Sequence, residues 1–137
     1  MKVFVVEDVK ALGVSLKRSI EGWGYSCTLV SDSDKVVKSI QREKPDVIFL
    51  DINLVDSDGL STNGLNLIPK IKEYSDAPIV ICTGCGDCNS LSIAKNLGVV
   101  DFIVKPINRD RVHMTLKKLE IDLRGKGYYT QYNKRAY

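Results

Sequence analysis

The sequence of 137 residues predicts one α/β domain, a doubly wound five-stranded parallel sheet with helices on both faces. Three observations predict it. Five short apolar, β-branched runs recur along the chain, and stretches with helical spacing lie between them. The third run, Val47-Ile48-Phe49-Leu50, holds no polar residue, as a central strand buried on both faces requires.

The first strand is Val3–Val6, closed by Glu7-Asp8. Leu12, Leu16 and Ile20 then repeat every four residues and mark a helix. Tyr25–Val30 is the second strand. Ser31-Asp32-Ser33-Asp34 follows it as a helix N-cap, leading into the helix of Val36, Val37 and Ile40. The third strand ends in Asp51. A helix starting at Leu60 would hold Pro69 in its interior and lose a backbone hydrogen bond, so a start near Asn63-Gly64-Leu65 is expected, with Leu67, Ile68 and Ile71 facing inward. Asp51–Gly64 is then a long loop, with a turn at Asp56-Ser57-Asp58-Gly59. Pro78–Cys82 forms the fourth strand, closed by Thr83, before the helix of Leu91, Ala94 and Leu97. Val99–Val104 is the fifth, closed by Lys105, and Val112, Leu116, Leu119 and Leu123 line the last helix.

Hydrophobic residues make up 44% and charged residues 27%, a globular balance rather than a disordered one. The net charge of +3 belongs to the end of the chain. Residues 124–137 carry Arg124, Lys126, Lys134 and Arg135 and no acid, which leaves 16 basic against 17 acidic groups in 1–123. A near-neutral body argues against a nucleic-acid-binding face. No apolar run approaches the roughly 20 residues that cross a bilayer, and the start turns acidic at once, unlike a signal peptide. The expectation is a cytoplasmic domain over 1–123 that contacts neither nucleic acid nor membrane. Residues 124–137, with four of the six tyrosines, form a basic tail or linker stub, or else a docking segment.

In doubly wound sheets chemistry gathers at the carboxyl ends of the strands. Glu7, Asp8, Asp51, Thr83 and Lys105 therefore converge. Three carboxylates at one edge repel unless a cation joins them, and Mg²⁺ characteristically takes a few carboxylates, waters and phosphate oxygens. With such an ion Asp51 stays ionised and serves as a nucleophile toward phosphorus, while Lys105 and the Thr83 hydroxyl hold phosphoryl oxygens.

Glu7-Asp8, the Asp51 of Asp46-Val-Ile-Phe-Leu-Asp51, the Thr83 of Val80-Ile-Cys-Thr83-Gly84 and Lys105-Pro106 together resemble the receiver domain of two-component response regulators, over about residues 2–123. The resemblance implies a flavodoxin-like sheet in the order 2-1-3-4-5. It implies that Asp51 accepts a phosphoryl group from a sensor histidine kinase or phosphotransfer protein. It implies Mg²⁺ held by Glu7, Asp8, Asp51 and the backbone carbonyl of Asn53, and a phosphate-binding Lys105 whose bond to Pro106 is cis in many relatives. Thr83 and Phe102 resemble a switch pair that reshapes the face of the fourth helix, fifth strand and fifth helix, where an output partner or a second copy docks. On this reading the chain is not an enzyme beyond its own phosphorylation and dephosphorylation. Val55 departs from the proline usual in relatives. The Asp-Gly helix start of the family matches both Asp58-Gly59 and Asn63-Gly64, and Gly64 is favoured, with about five inserted residues. Asn53 and Cys85 stand where relatives tune autodephosphorylation.

Other readings are weaker. A pseudo-receiver that only binds partners would not need Asp51, Thr83 and Lys105 intact. A phosphatase of the haloacid dehalogenase type also uses a strand-end aspartate with Mg²⁺, but needs a second acid where Asn53 stands. Cys82, Cys85 and Cys88 lack the fourth cysteine of a cluster motif, and Cys82 should point into the core, so buried or incidental thiols are expected. A calcium loop starting at Asp56 would need glutamate where Leu67 stands. His113, the only histidine, reads as a helix-surface residue.

Overall fold

Strand β1 (Lys2–Val6) shows how the sheet divides its side chains. Successive residues of a strand point to opposite faces. Val3 and Val5 enter one core with Leu16 and Ile20, and Phe4 and Val6 enter another with Val36 and Ile40. The computed structural model describes residues 1–55, 61–84 and 88–126. The chain runs through α1 (Lys10–Gly22), β2 (Ser26–Val30), a 3-10 turn (Ser33–Lys35), α2 (Val36–Glu43) and β3 (Val47–Asp51). It continues through β4 (Asn53–Val55), β5 (Ser61–Asn63), a second 3-10 turn (Gly64–Asn66), α3 (Leu67–Tyr74), β6 (Ile79–Thr83), α4 (Cys88–Asn96), β7 (Asp101–Val104) and α5 (Arg109–Lys126). The main sheet is parallel in the order β2-β1-β3-β6-β7, which is 2-1-3-4-5 once the β4–β5 pair is set aside.

Every residue of β3 and of β6 is buried, as their apolar runs predict. The core on one face is closed by α1 and α5, and that on the other by α2, α3 and α4. In α1 the buried stripe is Gly13, Leu16 and Ile20, while Leu12, expected to face inward, is half exposed. The helix lies so close to β2 that a Cβ on Gly13 would sit 2.6 Å from Leu29 Cδ1. Backbone approach at Gly13 thus rotates Leu12 outward. Asp32 does occupy the N-cap position of the first 3-10 turn, but its side chain makes no capping bond and instead lies 3.2 Å from Lys35 Nζ.

The connection after β3 is not the long loop expected. β4 and β5 form an antiparallel hairpin in the register Asn53↔Asn63, Leu54↔Thr62 and Val55↔Ser61. Leu54 anchors it in the core beside Leu65. At its return the Asn63 side chain accepts the Leu65 N–H at 2.9 Å and starts the helical turn, so Pro69 falls third in α3, where the missing donor costs little. The turn at Asp56-Ser57-Asp58-Gly59, Cys85, the Cys88 side chain and the tail from Gly127 onward lie outside the described residues.

α5 buries Val112, Leu116 and Leu119 and continues to Lys126, past the boundary expected at 123. His113 is not a free surface residue. Its ring stacks on Trp23, which follows α1, at 4.2 Å and 2° between planes. Arg111 clamps α5 to β7: Nη2 donates to Asp101 Oδ1 at 2.8 Å and to the Phe102 carbonyl at 3.1 Å, and Nη1 donates to Thr115. Burial is the largest single influence and would raise the Asp101 carboxyl, but the bonds from Arg111 and the Phe102 N–H, together with the Arg111 and Lys118 charges, hold it below its ordinary value. No described helix is long and apolar enough to cross a membrane.

Candidate functional site

The sheet extends slightly beyond its strands and so delivers the expected residues to one edge. The Glu7 N–H donates to the Val30 carbonyl at 3.1 Å, and the Lys105 N–H to the Thr83 carbonyl at 2.7 Å. The peptide bond between Lys105 and Pro106 is cis. Between them Asp51 closes β3, only 2% exposed. Lys105 Nζ then donates to Glu7 Oε1 at 2.9 Å and to Asp51 Oδ2 at 3.0 Å. The other Asp51 oxygen, Oδ1, accepts the Asn53 N–H at 3.0 Å. Asp8 completes the group, with one ligand atom each from Glu7, Asp8 and Asp51 within 4.8 Å of one another.

Thr83 is buried at the end of β6, in register with Val104. Phe102 is half-buried one step further back, opposite Ile81, against the α2–α3–α4 core. It stands apart from the carboxylates. Cys82 packs with Val80 in the α1–α5 core, as expected, and burial pushes its thiol up to about 12, which leaves it neither nucleophile nor ligand.

Burial, reinforced by Asp51 and partly offset by Lys105, pushes Glu7 from 4.5 up to about 7. Burial works against the Lys105 ammonium, but its bonds to Glu7 and Asp51 win and raise it. Two acids thus share one cation, with the Asp8 carboxyl beside them. The oxygens are hard donors at a spacing that one small divalent ion can span, so the donor set fits Mg²⁺.

The Glu7 shift has a sign that can be checked. Below about pH 4.5 the carboxyl is protonated in folded and unfolded chains alike. As pH rises toward 7 the unfolded chain ionises while the folded one resists, so folding stability falls. Relative to Glu7→Gln, the wild type in EDTA should lose up to about 3 kcal/mol between those limits and then level off, as read by urea denaturation. A flat difference would mean Glu7 titrates normally.

Residues 3–117 match the family model described as the response regulator receiver domain. The chain belongs to this family. Among known proteins, it is 34% identical over 120 residues to the nitrogen assimilation regulatory protein NtrX of Azorhizobium caulinodans, covering 86% of this chain and 26% of that one. It is 29% identical to the transcriptional regulatory protein KdpE of Staphylococcus aureus, covering 87% and 49%. Among solved structures, a two-component response regulator from Clostridium difficile superposes with a TM-score of 0.79 at 29% identity, over 87% of this chain and 94% of that one. NtrX from Brucella abortus, in complex with ATP, gives 0.81 at 25%, over 94% and 29%. The receiver spans about a quarter to a half of the length of these two curated relatives. It is a response regulator receiver domain of two-component phosphorelay signalling.

Three features of the receiver escaped the sequence. One is the closure of Gly64 on the end of the acceptor strand, where its N–H donates to the Ile52 carbonyl at 2.6 Å; the Asn63-Gly64 pair was a partial signal of it. Arg111 and Thr115 sit four apart on α5, a spacing that allows contact but does not announce it. Nothing in the sequence joins Trp23 to His113, 90 positions away.

Proposed function

We propose that Asp51 is the phosphoacceptor of this receiver, and that Glu7, Asp8, Asp51 and the Asn53 carbonyl hold Mg²⁺. The observation that carries the reading is the Lys105 ammonium bonded at once to Glu7 and Asp51, beside a third carboxylate, at the end of the central strand. When bound, Mg²⁺ neutralises charge on the acceptor and on the incoming phosphoryl oxygens. An Asp51 oxygen attacks phosphorus in line, the bond to the donor breaks, and the donor leaves with its electron pair. Lys105 swings from the carboxylates onto a phosphoryl oxygen, and the Thr83 hydroxyl donates to another. The ordered Asn53 N–H holds the remaining Asp51 oxygen in place, so that one oxygen is presented.

The donor is a sensor histidine kinase or phosphotransfer protein. Thr83 and Phe102 act as the switch, and the output surface is the face of α4, β7 and α5, where a partner or a second copy docks. Arg111 supports this assignment, because it ties α5 to the Phe102 carbonyl and so links the helix to the strand that carries the aromatic. The domain has no other substrate. Residues 1–123 form the signalling unit of a cytoplasmic protein, and residues 124–137 lead from it.

Intact mass after incubation with Mg²⁺ and a small acyl-phosphate donor tests the reading. Wild type should gain one phosphoryl group and Asp51→Asn none. A wild type that folds and binds Mg²⁺ yet gains nothing would favour a receiver that works by binding alone.

A further inference from the structure

The edge of the sheet opposite the acceptor cluster carries a groove of about 510 Å³. Its apolar lining is Met1, Pro45, Ala77, Pro78 and Leu123. Asp46, Asp76 and Glu120 stand among them, with Arg124 as the one cationic side chain. Parallel topology explains the gathering. Met1, Asp46 and Pro78 directly precede β1, β3 and β6, so they share the amino-terminal edge of the sheet. α5 starts at the other edge, after β7, and ends here, which brings Glu120 and Leu123 to the groove. A smaller groove of about 270 Å³, lined in part by Val100, Leu119 and Asp122, shares Pro78 and Leu123 with it.

The charge here is negative. Among the described residues none of Asp46, Asp76, Glu120 and Asp122 has an ion-pair partner. Asp46 Oδ2 accepts the Lys2 N–H at 2.7 Å, which fixes that carboxylate at the edge. α3 and α5 both end nearby, at Tyr74 and Lys126, and the carboxyl end of a helix adds partial negative charge. Two copies of such an edge repel each other, so the surface calls for a basic occupant with apolar groups.

The chain supplies one where it is needed. Residues 127–137 follow α5 directly and carry Tyr128, Tyr129, Tyr132 and Tyr137 with Lys134 and Arg135, and no acid. Gly125 and Gly127 flank the last helical residue, and glycine disfavours a longer helix. An extended chain covers about 3.3 Å per residue, so Tyr129 can reach about 10 Å from the helix end and Arg135 about 30 Å. Tyrosine offers a large apolar ring and a hydroxyl that a carboxylate accepts. Tethering raises the effective concentration of such a segment to roughly millimolar.

We propose that residues 127–137 fold back onto this edge, with tyrosine rings on the apolar lining and Lys134 and Arg135 against Asp76, Glu120 and Asp122. The contact uses none of the acceptor residues. Trypsin cleavage after Lys134 and Arg135 in the folded full chain, followed by mass, tests it. A segment docked nine-tenths of the time is cut about tenfold more slowly than a free one. Asp76→Asn/Glu120→Gln and Tyr128→Ser/Tyr129→Ser should each raise the rate about fivefold or more. Asp32→Asn/Asp110→Asn removes the same charge from the carboxyl edge and should change it by less than about twofold. In Tyr128→Ser/Tyr129→Ser, amide chemical shifts should move at residues 46, 75–77 and 119–124 and stay fixed at 7–8, 51–53 and 105. Equal cleavage of wild type and both docking variants, or shifts confined to residues beyond 124, would overturn the docking. So would protection that grows with protein concentration, an outcome that places the segment on a second copy. Far-UV circular dichroism should confirm unchanged folding of every variant.

Discussion

Lys105→Met should destabilise the metal-free protein by about 2–4 kcal/mol at pH about 8, with most of that loss restored by Mg²⁺. The Lys105 ammonium is the cation bonded to both Glu7 and Asp51, whose side chains are 5% and 3% exposed. Removing it leaves two buried negative charges facing each other, with Asp8 nearby. Uncompensated buried charge is what makes breaking such a bridge expensive. Two routes of relief exist and each can be switched on separately. Near pH 6 the raised Glu7 carboxyl takes up a proton, so the loss should shrink. With millimolar Mg²⁺ the three carboxylates have a cation again, so the loss should shrink at either pH. Urea denaturation in four conditions, with and without EDTA at each pH, reads both. A loss that ignores pH and metal would mean that Lys105 acts through packing of its stem, and the charge-cluster account of the site would fall.

Gly64→Ala should cost about 2–3 kcal/mol and slow phosphorylation as well. A Cβ at Gly64 would lie 2.4 Å from the Asp51 carbonyl oxygen and 2.7 Å from Ile52 Cα. Both neighbours are backbone, so no side chain can swing aside. The Gly64 N–H also donates to the Ile52 carbonyl at 2.6 Å, so backing away breaks a bond. The strain therefore passes into the peptide that carries the acceptor. Gly22→Ala is the control. It ends α1 with nothing within 4 Å of a Cβ, and should be neutral or gain up to about 1 kcal/mol. If both substitutions behaved alike, the hairpin would not be pinned to the acceptor strand.

The parts of the fold legible in the sequence are those in which chemistry repeats with a fixed period. Val47–Leu50 announces a strand buried on both faces because nothing polar interrupts it, and Glu7, Asp8, Asp51, Thr83 and Lys105 are legible because each follows such a run directly. Periodicity fails where a backbone contact sets the geometry. Leu12 fits the stripe of α1, yet the close approach of Gly13 to Leu29 turns it outward. It fails again for β4 and β5, whose three residues each are too few to show alternation. Pairing across the fold leaves no local trace, which is why His113 resembled a surface residue and proved to be stacked on Trp23. Arg111 likewise gains its meaning only when α5 is laid against β7.

The hairpin leaves and rejoins the domain at Asn53 and Asn63, which face each other across its base. Its two ends are therefore held together by their own register, and lengthening what lies between them adds only the slowly growing entropy of a longer loop, about 0.6 kcal/mol per doubling. Such an insertion is a cassette. Evolution can rewrite it without retuning the sheet, and a protein engineer can graft a foreign peptide into it. Because Asn53 also holds the Asp51 carboxylate, any cargo so grafted would be wired to the residue we assign as acceptor.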